Sequence, residues 1–304
     1  MKFWNTFVGR TVIGIIVIQC ICIILLFSSH QKTIHTETHP CYTSLLHDST
    51  IVICGLGRNI SRNIASKRRE IETIGGYFED YRVVIVSNNN NDDTLRKLNQ
   101  WASENPRVHI ISPEADRFVA VAATVNRQHT VSDRRAVHDK RIRRMADLRE
   151  KYLDYVKINH SSASYMLVMD MDIKGIAETA GFMSTFIKDD WSAVFVNGMI
   201  SVWFGLYHMP YDSLAFSLKG TPSSGIPSQI VRGVQLNAVS RHANDWIEVE
   251  SAFGGYGVYR ISDIGNASYV TDDVADCEHH TFHYGIHGKK YINPSWTGKF
   301  KSHD

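Results

Sequence analysis

The sequence lacks any pair of cysteines spaced as zinc ligands are, and only five cysteines occur in 304 residues. Cys20 and Cys22 fall in a long apolar run, which leaves Cys41, Cys54 and Cys277 outside it. If those three face an oxidising compartment, one disulfide can form with one thiol left over, and the sequence does not choose the pair. No cysteine-based zinc site is predicted.

An excess of either charge is also missing, because 33 Lys and Arg stand against 31 Asp and Glu. This balance gives no electrostatic reason to expect nucleic acid as a partner. The one basic cluster, at 133–157, is predicted as an amphipathic helix on the spacing of Ile142, Met145, Leu148, Tyr152 and Tyr155. Its charged face is interpreted as solvated, with an arginine contacting a phosphate as the alternative.

Long hydrophobic runs are absent with one exception, "TVIGIIVIQCICIILLFSS" at 11–29, which carries no charge. At about 1.5 Å per residue, a helix of this length roughly matches a hydrocarbon layer of about 30 Å. We predict a transmembrane signal anchor at 11–29 with a cytosolic tail at 1–10, since Lys2 and Arg10 precede the run. A cleaved signal peptide is the alternative, although its apolar core is typically only about 7 to 15 residues.

The region that follows the anchor divides into a short polar stem at 30–48 and a folded domain at 49–304. This topology predicts a single-pass type II membrane protein with the domain in the lumen of the Golgi or the endoplasmic reticulum. Asn-x-Ser sequons at Asn59, Asn159 and Asn266 permit glycosylation there.

Strand-like and helix-like segments alternate from residue 50 onward. "TIVICGLG", "YRVVIVS" and "RVHIIS" are predicted strands, and "ISRNIASKRREIETIGGYF" and "DDTLRKLNQWASEN" are predicted helices between them. After the helix near 138–158 comes "SYMLVMDMD", whose unbroken apolar run indicates a strand covered on both faces. The order predicts an α/β fold with a doubly wound, mostly parallel, Rossmann-like sheet.

Asp170 and Asp172 follow that buried strand. Ligands of open parallel sheets bind outside the carboxyl ends of the strands, and side chains at i and i+2 of an extended chain point the same way. Two adjacent carboxylates suit a hard divalent cation such as Mn²⁺ or Mg²⁺. The alternative is a pair of solvated acids in a loop, because Asp-x-Asp is frequent by chance.

Two earlier loops follow strands in the same way. "SNNNNDDT", with Asn88, Asp92 and Asp93, could meet a sugar or base through directed hydrogen bonds, or could simply form Asx turns that cap the next helix. "CGLGRNIS" offers a helix amino terminus suited to a diphosphate, although the glycine spacing of the dinucleotide fingerprint is absent.

The carboxyl-terminal region concentrates acids and histidines in "DCEHHTFHYGIHGKKYINP", after the paired glycines of "ESAFGGYGVYR". On a helix, His279, His283 and His287 share one face. Each histidine read alone is most simply a surface residue. Read together, one of them completes an ion site with the Asp-x-Asp pair.

Six stretches in this order resemble glycosyltransferases of the GT-A fold, and they cover about 50–300. They are "IVICGLGRNI", "VVIVSNNNNDDT", "RIRRMADLREKYLDYV", "YMLVMDMDIKG", "SAFGGYGVYR" and "CEHHTFHYGIHGKKYINP". The layout is similar to eukaryotic and large-virus sugar transferases, including the fungal capsule-associated mannosyltransferase group. The resemblance implies transfer of a sugar from a nucleotide-diphosphate donor to a hydroxyl of a glycan or glycoprotein acceptor, with Mn²⁺ or Mg²⁺ as cofactor.

The resemblance also implies roles for individual residues. Asp170 and Asp172 match the family's metal and diphosphate motif, and His283, or else His279, matches its frequent third metal ligand. Glu278 is the candidate base, with Asp276 in reserve. The nucleotide-contacting segments correspond to Gly55, Gly57, Arg58 and Asn59 in one loop and to Asn88, Asp92 and Asp93 in the other. Arg149-Glu150 departs from the Arg-Asn that related sequences often carry, which puts a donor role of that helix in doubt.

Two other functions compete with this interpretation. Phosphatases of the haloacid dehalogenase type also place Asp-x-Asp after an apolar strand, but they expect a small hydroxyl residue where this chain has Ile173-Lys174-Gly175. "TDDVAD" would serve that class as a late acidic motif. A luminal sugar-binding protein that keeps the fold without the chemistry is the third possibility.

Overall fold

The computed structural model describes residues 46–113, 131–175, 177–202, 207–220, 229–242, 245–270 and 277–301. The predicted tail, the anchor, most of the stem and Asp276 lie outside these residues. Within them, no helix has both the length and the apolarity that crossing a membrane requires. Leu46, near the end of the predicted stem, is 1% exposed and packs in the core, so the fold already includes it.

In the described part of the chain, ten strands form one sheet. They are β1 (Thr50–Leu56), β2 (Asp80–Val86), β3 (Val108–Ile111), β4 (Tyr165–Asp170), β5 (Ala193–Val202), β6 (Tyr207–Pro210), β7 (Ser217–Leu218), β8 (Ile247–Ser251), β9 (Tyr256–Arg260) and β10 (Lys290–Lys301). Their spatial order is β3-β2-β1-β4-β9-β5-β10-β8-β7, with β6 paired to β5. The first four run parallel, as predicted, whereas β9 lies antiparallel between β4 and β5.

The described helices lie between these strands along the chain. They are α1 (Ile64–Gly75), α2 (Thr94–Glu104), α3 (Val131–Asn159), α4 (Thr179–Ser184), α5 (Gln229–His242), α6 (Ile261–Ile264) and α7 (Glu278–Gly285), with short 3-10 turns at Thr185–Ile187 and Ser213–Ala215.

Both faces of the sheet are covered, which explains the unbroken apolar runs of its strands. Ile51 and Ile53 of β1 enter one core, together with Ile71 of α1, whereas Val52 and Cys54 enter a second core on the other face. Alternate residues of one strand thus feed two cores. The α/β class and the parallel amino-terminal half agree with the prediction.

The buried face of α3 is rotated from the predicted stripe. Between residues 138 and 159, its buried members are Ala146, Arg149, Tyr152, Leu153 and Val156, while Ile142 and Met145 are only half-buried. An apolar stripe locates such a face only to within about one position, because a half-buried edge accepts apolar side chains as well as charged ones.

Paired glycines let β9 run beside β4. Gly254 and Gly255 have φ of 62° and 98°, values that only glycine adopts readily. A side chain at Gly254 or at Gly198 would collide with the backbone of the other segment. The turn at 254–255 therefore brings β9 and β5 close together next to the end of β4.

Candidate functional site

The chain reverses its direction of travel across the sheet between β1 and β4. From β1 it proceeds to β2 and β3 on one side and then returns to place β4 on the other side. Such a switch point opens a crevice at the carboxyl ends of the two strands. At this point the loop after β1, at 57–63, lies beside the segment that begins at Asp170, since Asn63 Nδ2 donates to the carbonyl of Asp172 at 2.8 Å.

Asp170 and Asp172 stand on the same side of this segment. The intervening Met171 and the following Ile173 are buried, whereas Asp170 keeps 18% of its side chain exposed and Asp172 is exposed. The backbone N–H of Asp170 donates to the carbonyl of Gly255 at 2.9 Å. Alternation anchored by two buried apolar side chains therefore directs both carboxylates to the opposite side of the segment.

Arg149 is the main polar partner of a cluster of carboxyl groups, here called the carboxylate cluster, which consists of Asp170, Asp172 and Glu278. It is 3% exposed, its Nε donates to Glu278 Oε1 at 2.9 Å, and its Nη2 lies 3.4 Å from Asp170 Oδ1. Its guanidinium also lies over the ring of Phe253, 5.4 Å from the centroid. One buried cation thus joins the first acid of the Asp-x-Asp pair to the predicted base. The sequence contained the signal, since Arg149 follows Met145 by four residues and precedes Tyr152 by three, within the apolar stripe.

Asp212 is a fourth carboxyl group near the cluster, and sequence reasoning missed it. It has the left-handed φ of 53° that Asp and Asn tolerate better than most residues. The hydroxyl of the adjacent Tyr211 donates to Asp170 Oδ2 at 3.1 Å. Tyr211 and Asp212 also line a small pocket together with Gly198, Phe253 and Gly254.

The electrostatics of the cluster favour an added positive charge. Burial raises the pKa of Asp170 to about 6, with the nearby charge of Asp172 adding to the rise and Arg149 opposing it. Burial, followed by the charges of Asp170 and Glu278, raises the pKa of Asp212 to about 7. Ionising all these acids together is unfavourable unless a cation offsets them.

The histidines predicted as third metal ligands, His283 and His279, are buried in the protein interior and do not form a metal site with the Asp-x-Asp pair. Both ring nitrogens of His283 are hydrogen-bonded at 2.8 Å, to the hydroxyls of Ser251 and Tyr259, and burial keeps its pKa well below the usual range. His279 is buried against Phe253, their ring centroids 4.0 Å apart, and neither of its ring nitrogens has a hydrogen-bond partner among the described residues. His287 is exposed and lies beyond the end of α7.

No group of three or more His, Cys, Asp or Glu side chains within the described ranges is arranged to hold a metal ion. The predicted set of Asp170, Asp172 and His283 is therefore not assembled. A smaller protein share still fits the chemistry, because Mg²⁺ commonly takes one or two carboxylates and completes its shell with water and substrate phosphates. Asp170 and Asp172 supply that number.

The two loops predicted to contact a nucleotide bind each other. Asn59 exchanges hydrogen bonds with the second loop, since its N–H donates to Asn90 Oδ1 at 2.9 Å and its Oδ1 accepts from the N–H of Asn91 at 2.8 Å. Asp92 accepts from the backbone N–H groups of Ser61 and Thr94. Desolvation acts to raise its pKa, but hydrogen bonds from the side chains and then the backbones of Thr94 and Ser61 lower it to about 2. The Asx-turn alternative therefore describes Asp92.

Of the other residues predicted to contact a nucleotide, some pack against neighbouring side chains and others lie at the protein surface. A side chain at Gly55 would meet Met171, and one at Gly57 would meet Ile60. The Arg58 Nε donates to the carbonyl of Asn89 at 3.2 Å. Asn88 is 8% exposed, and Asp93 is exposed and paired with Arg96 at 3.0 Å. The two glycines thus permit close packing below the loop, whereas Arg58 and Asp93 remain at its surface.

The thiols of Cys54 and Cys277 are free and buried. Burial raises the pKa of both. Neither is poised as a thiolate nucleophile.

Comparison with known proteins finds similarity in fold only. No protein-family model matches the chain, and no curated protein matches it. The similar solved structures include S. aureus TarS 1–349 in complex with UDP-GlcNAc, with a TM-score of 0.45, 9% identity, and coverage of 84% of this chain and 59% of that one.

Two further structures are a mannosyltransferase from Pyrobaculum calidifontis in complex with GDP-Man and Mn²⁺, and GalNAc-T7 with UDP, GalNAc and Mn²⁺. The first has a TM-score of 0.44, 13% identity, and coverage of 84% and 57% of the two chains. The second has a TM-score of 0.41, 11% identity, and coverage of 84% and 44%. The chain thus spans less than two thirds of each, and TM-scores below 0.5 are too low to transfer activity, ligands or residue roles.

Proposed function

We propose that this protein is a metal-dependent glycosyltransferase that moves a sugar from a nucleotide-diphosphate donor to an acceptor hydroxyl on a glycan or glycoprotein. The observation that carries the proposal is the pair Asp170 and Asp172 at the switch point of the sheet, on the side of their segment opposite the buried Met171 and Ile173. The uncharged run at 11–29 supports a type II anchor with the domain in the lumen of the Golgi or endoplasmic reticulum.

Asp170 and Asp172 would hold the cation, Mn²⁺ or Mg²⁺, at the mouth of the crevice. A divalent ion held there would offset the negative charge that grows on a leaving diphosphate. Tyr211 and Arg149 keep Asp170 oriented through its two oxygens. The backbone of the loop at 57–63, fixed by the second loop, would receive the nucleotide.

Asp212 is favoured over the predicted Glu278 as acceptor of the proton from the acceptor hydroxyl. Glu278 is 5% exposed and is bound to Arg149, so a proton transferred to it would break a buried ion pair. Asp212 is partly exposed and lines a pocket, and its pKa of about 7 lies near the pH at which a base works best. Asp276 stays a prediction.

The experiment that tests the proposal measures metal-dependent hydrolysis and transfer with a panel of nucleotide sugars, using the full chain purified in detergent. Asp172→Asn keeps the shape of the side chain and removes its charge, so donor turnover should fall by about two orders of magnitude or more. The matched control is Asp154→Asn, since Asp154 is exposed on α3.

Three outcomes would contradict the proposal. Turnover of Asp172→Asn at the parent rate would exclude the metal role of the pair. An acyl-phosphate trapped on Asp170 would indicate a phosphatase of the dehalogenase type. Binding of nucleotide sugars without turnover at any metal concentration would indicate a sugar-binding protein.

A further inference from the structure

Three polar residues on one face of α1 contact the backbone of the segment that follows Asp170. Asn63, the N-cap of α1, donates from Nδ2 to the carbonyl of Asp172 at 2.8 Å. Lys67 Nζ donates to the carbonyl of Gly175 at 3.2 Å, and Glu70 Oε1 accepts from the N–H of Ala177 at 3.3 Å. Because the three residues are spaced i, i+4 and i+7, they form a single stripe, here called the α1 stripe.

The centre of the α1 stripe is a buried ion pair with every donor used. Lys67 is 1% exposed, and its other two hydrogen bonds go to Glu70 Oε2 at 3.0 Å and Tyr256 Oη at 2.5 Å. The Tyr256 hydroxyl in turn donates to Glu70 Oε1 at 2.9 Å. A buried ion pair of this kind is often no more stabilising than well-packed apolar residues. The need to pack α1 against the rest of the domain therefore does not by itself explain the pair of Lys67 and Glu70.

The same segment is held from its other side by β10. Lys301 N–H donates to the carbonyl of Lys174 at 2.9 Å, and Glu178 N–H donates to the carbonyl of Thr297 at 2.8 Å. Gly175 has a φ of 124°, and a side chain there would collide with the backbone of Lys299. The segment is thus confined between α1 and β10, and Asp172 stands where it leaves β4.

We propose that the α1 stripe consists of positioning residues that fix Asp172 for the divalent cation. The inference rests on the proposed function. Asn63 acts directly on the backbone of Asp172, whereas Lys67 and Glu70 act through Gly175 and Ala177. None of the three needs to touch the ion. Substituting them should still weaken metal binding, because residues that orient a metal ligand affect metal affinity even without contacting the metal.

The test measures Mn²⁺ binding by the full chain through loss of the electron paramagnetic resonance signal of free Mn²⁺, with whichever of UDP and GDP the parent binds more tightly. Lys67→Met should weaken Mn²⁺ binding by about 10- to 100-fold, and Asn63→Ser by about 10-fold. Serine keeps N-cap preference but is too short to reach Asp172, and the Asn63 side chain makes no capping bond that the change would remove.

Arg68→Met is the matched control. Arg68 follows Lys67 directly but pairs with Glu72 and Glu104, away from the segment. The Arg68→Met protein should bind Mn²⁺ with an affinity within about twofold of the parent's. Amide exchange of Ala177, read by mass spectrometry of its peptide, should accelerate in Lys67→Met and stay at the parent rate in Arg68→Met. In the Lys67→Met and Asn63→Ser proteins, saturating Mn²⁺ should restore most of the donor turnover.

Equal Mn²⁺ affinity in the parent, a folded Lys67→Met and Asn63→Ser would overturn the inference and leave the proposed function standing. If Lys67→Met does not fold, Asn63→Ser decides alone. A parent that binds no Mn²⁺ with either nucleotide would overturn the proposed function and the inference with it.

Discussion

Replacing Asp212 by Asn should make the protein more stable at pH 8 and less active. In the fold, burial and the charges of Asp170 and Glu278 raise the pKa of Asp212 to about 7, whereas an unfolded Asp titrates near 3.9. A carboxyl group whose pKa is raised by folding reduces stability increasingly as the pH rises from about 4 to 7. Asn carries no charge and also tolerates the left-handed backbone at this position, so the substitution removes the charge alone.

The size of the effect follows from the pKa shift. About three units at ~1.36 kcal/mol each give an upper limit of about 4 kcal/mol at pH 8. Asp212 is partly exposed, so solvent screening reduces this to about 1–3 kcal/mol. At about 2–4 °C per kcal/mol for a domain of this size, Tm should rise by about 2–12 °C at pH 8. At pH 4.5 the same relation between pKa and stability predicts a gain in unfolding free energy of only about a quarter of that at pH 8.

Thermal unfolding of the full chain at both pH values, together with turnover of the best nucleotide sugar, measures this prediction. Asp154→Asn, the exposed control, should change Tm by less than about 2 °C at either pH. The reasoning is refuted if Asp212→Asn gains no stability at pH 8, or gains equally at pH 4.5. Unchanged transfer would separately remove Asp212 from the role of proton acceptor.

Three further predictions concern the cluster and the glycine turn. Because protons compete with Mn²⁺ for Asp170, whose pKa is about 6, Mn²⁺ should bind about tenfold more weakly at pH 5 than at pH 7 by titration, and a flat profile would contradict this. Arg149→Met leaves Glu278 buried without its cation, so denaturant unfolding should show a loss of about 3–5 kcal/mol, and a loss below about 1 kcal/mol would refute the ion pair. Gly198→Ala would drive its Cβ into the Gly254 carbonyl, so Tm should fall by several degrees, and an unchanged Tm would refute the close approach.

The parallel half of the sheet was predictable because its strands and helices carry strong local signals. "YRVVIVS" and "SYMLVMDMD" read as buried strands, and the structure has β2 at Asp80–Val86 and β4 at Tyr165–Asp170. The position of β9 was not predictable in this way. It depends on a close approach of Gly254 to Gly198, two residues far apart in the chain, and periodicity records nothing about such contacts.

The residues of the candidate site that the sequence analysis named are Asp170, Asp172 and Glu278, whereas Arg149 and Asp212 were not named as site residues. Arg149 was interpreted within a solvated charged face, although its spacing put it in the apolar stripe and its partners are the buried Glu278 and the half-buried Asp170. Asp212 lies in a short turn whose only sequence mark is a "PYDS" stretch. For His283 the spacing on α7 was correct, but spacing does not reveal that two hydroxyls occupy both ring nitrogens.

The mutual hydrogen bonding of the loops at 57–63 and 88–94 has a consequence for ligand affinity. Asn59 and Asp92 hold the two loops together through hydrogen bonds within the chain, so the conformational entropy of these residues, about 1–2 kcal/mol each for the backbone, is lost during folding rather than during binding. A ligand that docks on a preorganised surface avoids that penalty and keeps more of its contact energy as affinity. If the proposed nucleotide donor binds at this edge, its association should resemble rigid docking, with a rate governed by diffusion and orientation instead of loop closure.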